Sequence, residues 1–314
     1  MTTVIIPTYN AGKQLAKLLE SLKAQSLACD ILIIDASSDD DTAKIAKRSG
    51  ATVTIIEKQS FDHGGTRTLA GQLSGTITRT KADADILVYM TQDALPADST
   101  ALENLIKPFS DHMVAAAYGR QLPHPVASPF GGHLRLFNYP EISHIRSLAD
   151  KAACGIRTPF LSNSFAAYRR PALEEIGWFR ERLIMGEDTW AGAKLLLAGY
   201  RLAYVSEAKV HHSHDYSPQE DFRRYFDIGV FHRCEDWILS EFGSAGHEGL
   251  AYVKSAITYL AGHKKSYLLP ELMIRTALKL AGYSLGRMHT HIPVSLKKKL
   301  SMHRDWWDRT SSCR

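Results

Sequence analysis

The sequence predicts an α/β fold, with a mostly parallel sheet flanked by helices and a helical C-terminal extension. Three observations carry this. Short β-rich runs alternate with helix-length segments over the first 120 residues, the pattern of βαβ units. Ile31–Ile34 is apolar without alternation, as in a strand buried on both faces. Beyond Pro218 strand-like runs cease and helical spacing continues to Trp307.

Each element follows from local pattern. Val4–Pro7 is short and β-rich. Ala11–Gln25 places Leu15, Leu18, Leu19 and Leu22 on one helical stripe. Ile31–Ile34, Val53–Ile56 and Ile86–Met90 are the next strands, separated by helices at Asp41–Ser49 and Thr66–Arg79. A helix at Thr100–Phe109 and a strand at Val114–Tyr118 follow. From Gln121 to Thr158, Pro123, Pro125, Pro129 and the pair Gly131-Gly132 predict long loops over a site. Regular structure resumes with the strand Ser164–Tyr168, a helix Pro171–Gly177 with proline in its first turn, a helix Thr189–Ala198 and a strand Leu202–Val205. Neither internal repeats nor low-complexity tracts occur.

A chain of 314 residues supports one large core or two smaller ones, and 45% apolar with 23% charged residues fits a soluble globular protein. Charge is uneven. His247–Arg314 holds 12 Lys and Arg against four Asp and Glu, a net of +8, which leaves about −3 of the chain's +5 for residues 1–246. Cys29, Cys154, Cys234 and Cys313 are far apart with no C-x-x-C spacing, which fits a reducing compartment and opposes a thiolate metal site. The strand-like start without a charged n-region predicts no signal peptide, and no apolar run of about 18 residues predicts a spanning helix. The expected location is cytoplasmic.

Ligands of open parallel sheets bind at the carboxyl ends of the strands. The segments there are Pro7-Thr8-Tyr9-Asn10, Asp35 through Thr42, Phe61-Asp62-His63-Gly64-Gly65-Thr66-Arg67 and Thr91-Gln92-Asp93-Ala94. The Ser/Asp run after Ile34 also suits helix capping. Gly12-Lys13-Gln14 fails as a phosphate loop, because Pro7 and Gln14 stand where glycine and a hydroxyl residue are needed. No G-x-G-x-x-G follows the first strand, so a dinucleotide has no support. Further on, Glu187-Asp188 opens a helix and His211-His212-Ser213-His214 follows within reach of it along the chain. An acid at a helix start with histidines downstream suits deprotonation of an alcohol beside a metal-held leaving group; a capping acid explains one of the two carboxylates but not the whole constellation.

Together, Ile5-Ile6-Pro7-Thr8-Tyr9-Asn10, Ile34-Asp35 through Thr42, Gln92-Asp93 and Gly186-Glu187-Asp188 resemble the inverting glycosyltransferases of family 2, which have the GT-A (Rossmann-like) fold. A closer resemblance, to bacterial rhamnosyltransferases of O-antigen assembly, covers nearly the whole chain. It rests on Phe61–Arg67, Thr91–Ala94, Gly119–His124, Ser162–Arg170 and His212–His214. It implies a GT-A catalytic domain over 1–217, with a nucleotide-sugar half (1–120) and an acceptor half (121–217), and a basic helical extension over 218–314.

The resemblance also implies roles. Pro7, Thr8, Tyr9, Asp35, Ser38, Arg67, Gln92 and Asp93 would hold the nucleotide sugar, dTDP-L-rhamnose, with Asp35 receiving the ring N–H of the base. Arg67 would balance diphosphate charge; as a surface cation at a helix start it would oppose the helix dipole. The family's D-x-D is reduced here to Thr91-Gln92-Asp93, so Asp93 with His212 or His214 would hold Mg²⁺ or Mn²⁺. Asp188 would be the catalytic base, and Glu187, Asn163, Ser164 and Trp190 would line the acceptor, a polyprenyl-diphosphate-linked glycan. Trp178 and Trp190 suit sugar stacking and core packing alike. The tail mixes apolar, aromatic and basic residues, ending in Leu296-Lys297-Lys298-Lys299-Leu300 and Trp306-Trp307, which suits peripheral docking on the anionic inner face of the cytoplasmic membrane. A helical subdomain packed on the catalytic domain explains the same residues. Another nucleotide sugar, or a non-catalytic scaffold of this fold, remains open at this level; nucleic acid is opposed by the acidic remainder and the lack of a reading motif.

Overall fold

A computed structural model of the chain describes residues 2–77, 86–244 and 246–309. The elements are β1 (Thr2–Thr8), α1 (Gly12–Lys23), β2 (Cys29–Asp35), α2 (Thr42–Arg48), β3 (Thr52–Ile55), α3 (His63–Ile77), β4 (Ile86–Met90) and β5 (Leu95–Pro96). Then follow α4 (Ala101–Ile106), β6 (Val114–Leu122), α5 (Pro129–Asn138), β7 (His144–Arg146), α6 (Lys151–Cys154), β8 (Phe165–Arg169), α7 (Arg170–Glu175), α8 (Glu187–Leu197) and β9 (Arg201–His211). The chain continues through α9 (Pro218–Cys234), α10 (Asp236–Phe242), α11 (Gly246–Gly262), α12 (Leu269–Arg287), α13 (Val294–Leu300) and α14 (Trp306–Arg309).

The described strands form one sheet in the order β3-β2-β1-β4-β8-β6-β9-β5, with β7 also on β9. The expected βαβ half is parallel: β1 pairs with β2, β2 with β3 and β1 with β4. The second half is mixed, since β8 lies antiparallel between β4 and β6, β9 is parallel to β6, and β5 and β7 are antiparallel to β9. Two apolar layers cover the faces. One carries Leu15, Leu18, Leu19 and Leu22, the stripe legible in α1; the other gathers Tyr89, Tyr168, Phe179, Trp178 and Trp190.

Three expectations change. The segment read as loops holds α5, because Pro129 occupies the first turn, where no N–H is needed, and the Ser128 side chain caps Gly131 N–H. Helix α3 begins at His63 rather than Thr66: Asp62 accepts from Gly65 N–H at 2.6 Å. Gly64 and Gly65 therefore sit in a helical turn, with one of their N–H groups already engaged. The expected continuation of this helix past Ile77 lies outside the described residues. Strand β9 runs on to His211, well past Val205, and this extension carries the histidines to the site.

The helical stretch beyond β9 opens with α9, which Ser217 caps through a reciprocal Ser217/Glu220 box. It is not a separate body, because Phe226, Val230, Phe231, Ile238, Phe242 and Trp307 share the core of the sheet. Helices α9 and α12 approach backbone to backbone: a Cβ on Gly286 would stand 2.1 Å from Phe226 O. Beyond α13 the chain returns to segments that precede α9, where the Trp306 indole donates to Arg182 O at 3.1 Å and Arg309 to Phe61 O at 3.1 Å. Cys29 and Cys154 are free thiols, whereas Cys234 is disulfide-bonded, a feature the cysteine spacing did not indicate. Among the described residues no helix is long and apolar enough to cross a membrane.

Candidate active site

Register builds the first station. The β1–β2 pairing sets Thr8 opposite Asp35 at the carboxyl edge. Asp35, 1% exposed, accepts from Thr8 Oγ1 (2.9 Å), Ser38 N–H (2.9 Å) and Ser38 Oγ (2.7 Å). Its Oδ2 takes only one of these donors. Asn10, in the left-handed region at φ 48°, ties the two loops: its N–H donates to Ser38 Oγ and its side chain accepts from Asp39 N–H. Gln92 brackets the Tyr9 backbone, accepting from its N–H at 2.9 Å and donating to its carbonyl at 3.2 Å. Lys58 lies over the Tyr9 ring at 4.4 Å. Thr8, Tyr9, Asp35, Ser38 and Gln92 are thus brought together with Pro7 as one rigid edge.

The second station is a cluster of Asp93, His212 and His214, whose ligand atoms all lie within 4.8 Å of one another. The His212 N–H donates to Leu122 O at 3.0 Å, which places it beside β6 and opposite Asp93. Asp93 Oδ2 stands 3.4 Å from His212 Nε2 and 3.7 Å from His214 Nε2. His212 Nδ1 engages Gln121 Oε1 at 2.9 Å, so Gln121 fixes the ring with Nε2 towards Asp93. Burial would push the Asp93 carboxyl up, but the hydrogen bond and charge of His212 prevail and hold it well below the usual carboxylate range. Burial, and then His212, push His214 down to about 4, so that it is a neutral donor at neutral pH.

The third station opens α8. Gly186 has φ 84°, and a Cβ there would meet the Phe231 ring at 2.8 Å. Only glycine delivers Glu187 and Asp188 into the helix at this angle. Glu187 pairs with Arg67 at 3.1 Å and accepts from Asn163 Nδ2 at 3.1 Å; Asn163 in turn accepts from the Tyr168 hydroxyl at 2.7 Å. Asp188 accepts from Asn163 N–H (3.2 Å) and Thr189 N–H (2.7 Å). The two carboxyls are driven apart. Burial would raise Glu187, but Arg67 and then His63 hold it low. Burial, reinforced by the Glu187 charge, pushes Asp188 up to about 7. Two adjacent acids with separated affinities divide into a fixed charge and a proton acceptor.

The segment Ser162-Asn163-Ser164 joins the stations. Ser162 Oγ accepts from Gln121, Asn163 holds both acids, and Ser164 O accepts from Thr91 N–H at 3.3 Å. Arg67 is not a surface cation: it is 5% exposed beneath Glu187, also donating to His63 O at 2.9 Å. Trp190 departs from its expected place. Its ring lies in the core and its indole N–H donates to Glu235 at 3.1 Å, so it presents no face to an acceptor; Trp178 is likewise core. Sequence reasoning assigned no role to Gln121, His63, Arg135 or Arg224. Arg135 donates to Gln121 Oε1 at 2.7 Å, and Arg135 and Arg224 both bear on His214 electrostatically. Their only signal was the basic residue type, in segments read as loop and as extension.

Residues 3–177 match the Glycosyl transferase family 2 profile. The chain is 44% identical over 308 residues to the O-antigen chain rhamnosyltransferase RfbN of Salmonella typhimurium, covering 98% of this chain and 96% of that protein. It is 41% identical over 310 residues to the O-antigen chain rhamnosyltransferase WbaN of Salmonella anatum, covering 98% and 95%. Among solved structures, it resembles the mannosyltransferase PcManGT of Pyrobaculum calidifontis, in complex with GDP-Man and Mn²⁺, with a TM-score of 0.57 and 21% identity over 98% of this chain and 88% of that one. At that identity the likeness speaks for the fold alone, which is the GT-A fold expected from the sequence.

Proposed function

The chain belongs to glycosyl transferase family 2, and from that premise we propose that it transfers L-rhamnose from dTDP-L-rhamnose, with inversion, to a sugar of a polyprenyl-diphosphate-linked O-antigen intermediate. That it is a glycosyltransferase follows from the family and from full-length relatives. The choice of rhamnose rests on the two relatives at 44% and 41% identity. The inverting chemistry rests on one observation: at the start of α8 Glu187 is taken up by Arg67 and Asn163, while Asp188 beside it is held only by the backbone N–H groups of Asn163 and Thr189, which leaves it the carboxylate able to accept a proton.

In this reading Thr8, Tyr9, Asp35 and Ser38 receive the base and sugar of the nucleotide, with Gln92 setting the Tyr9 backbone. Asp188 accepts the proton of the acceptor hydroxyl as its oxygen attacks the anomeric carbon. The bond from that carbon to the diphosphate oxygen breaks, and the electron pair leaves with the nucleoside diphosphate. Arg67 and Glu187 touch neither substrate; they fix the charge that keeps Asp188 basic. One carboxylate oxygen and two imidazole nitrogens, with His212 already oriented by Gln121, form a donor set that fits a divalent cation. Mixed N/O donors suit Mn²⁺ better than Mg²⁺. Such a cation, held by Asp93, His212 and His214, would supply positive charge for the leaving diphosphate. Arg135 and Arg224 add to that charge where the family's second carboxylate ligand is missing. Work at the inner face of the cytoplasmic membrane follows from a lipid-linked acceptor and the basic tail.

The test is a donor panel. Purified protein, Mn²⁺ and a sugar-diphospholipid acceptor are incubated with dTDP-, UDP- and GDP-sugars, and products are identified by mass. Transfer from dTDP-L-rhamnose that disappears with a chelator is expected. Turnover from a different donor alone would replace the rhamnose assignment, and no turnover with any donor would leave a scaffold.

A further inference from the structure

Helix α12 is inside out. Its charged residues face inward: Arg275, 9% exposed, pairs with Asp221 at 2.6 Å and Glu271 at 2.8 Å, Lys279 lies 3.5 Å from Asp221, and Arg287 pairs with Asp236 at 2.8 Å. Its outward arc is Met273, Ile274, Ala277, Leu280, Leu285 and the C-cap Met288, at helical spacing, with Ser284 the one polar side chain within it and no charge. Met273 is 63% exposed, Leu280 64% and Met288 56%. A surface helix facing water shows the opposite order.

We propose that this outer face of α12 docks on an anionic lipid bilayer, with the helix lying in the plane of the interface. The inference deepens the membrane-surface part of the proposed function and rests on it. Charge identifies the occupant. Lys264 and Lys265 precede α12 and Lys297, Lys298 and Lys299 follow it, while Tyr267, exposed at the turn into the helix, suits the headgroup level. Of the four acids beyond residue 247, Glu248 pairs with Arg157, Glu271 with Arg275 and Asp308 with Lys298, so the flanks present net positive charge. A second copy of the chain would set two like-charged tails against each other across a two-fold axis, which disfavours self-association through this face. The apolar arc contributes burial at the acyl boundary and the lysines attract anionic headgroups.

The experiment is co-sedimentation of the full chain with vesicles of phosphatidylcholine alone or with 30% phosphatidylglycerol (about that fraction suffices to set a negative surface potential). Wild type is expected to sediment with the anionic vesicles and to be released by high salt. Met273→Gln/Leu280→Gln/Met288→Gln is expected to weaken binding by about tenfold or more, with unchanged circular dichroism and unchanged transfer to a water-soluble acceptor. Lys264→Gln/Lys265→Gln, which leaves the apolar arc intact, is a second variant expected to reduce binding to anionic vesicles alone. Wild type that stays in solution, or an apolar-arc variant that sediments like wild type, overturns the proposal. So does a concentration-dependent dimer broken by the same substitutions. Loss of vesicle binding with retained soluble transfer separates this surface from the chemistry.

Discussion

Asp188→Asn is expected to bind donor like the wild type and to lose transfer by a factor on the order of 10² or more. The amide keeps the shape but accepts from only one of the two backbone N–H groups, of Asn163 and Thr189, that the carboxylate takes up, and it cannot take a proton. The pH dependence follows from the same geometry. With Asp188 pushed up to about 7, the wild-type kcat/KM rises as pH climbs through that value, because the base must be ionised. The sign for stability is opposite. Asp188 has a folded-state pKa above its ordinary value of 3.8, so its contribution is full below about that value and is lost as pH rises through about 7. Asp188→Asn removes this pH-dependent loss, so its melting temperature should fall less than that of the wild type as pH rises through about 7. A variant with near wild-type turnover, or with donor binding abolished, would remove Asp188 from the role.

Arg67→Met is expected to cost about 3–5 kcal/mol of stability, because it strands the buried Glu187 carboxylate without its partner. Thermal or denaturant unfolding measures it. Without the guanidinium, burial would raise the Glu187 pKa above its unfolded value, so the variant should regain stability on acidification. Arg67→Met/Glu187→Gln should recover a large share of the loss, since the buried charge is then gone. Loss of activity in Arg67→Met with stability unchanged would instead indicate direct contact with the donor.

The parallel half of the fold was legible because its signals are local. The Leu15–Leu22 stripe and the continuous Ile31–Ile34 run each require one environment, and the structure provides it. The mixed half was not, since the antiparallel insertion of β8 between β4 and β6 depends on pairings between segments about fifty residues or more apart. The loops read into Gln121–Thr158 show the limit of breaker residues. Proline ends a helix from within but starts one at Pro129, and only the Ser128 cap distinguishes the cases. In the site, Asp93, His212 and His214 converge as the residue types suggested, while Arg67 turned out to support Glu187 and Trp190 the core. Gln121 lies in the Gly119–His124 segment that carries the resemblance, but its residue type alone assigned it no role. Its importance comes from the β6–β9 register, which sets it beside the histidines.

The anomeric configuration of the product formed from dTDP-L-rhamnose, read by NMR, tests the base assignment most directly. A glycosidic bond of configuration opposite to the donor is the predicted result, as direct displacement assisted by Asp188 requires. Retention of configuration would contradict it, because attack from the face opposite the leaving diphosphate by a hydroxyl deprotonated at Asp188 must invert the anomeric carbon.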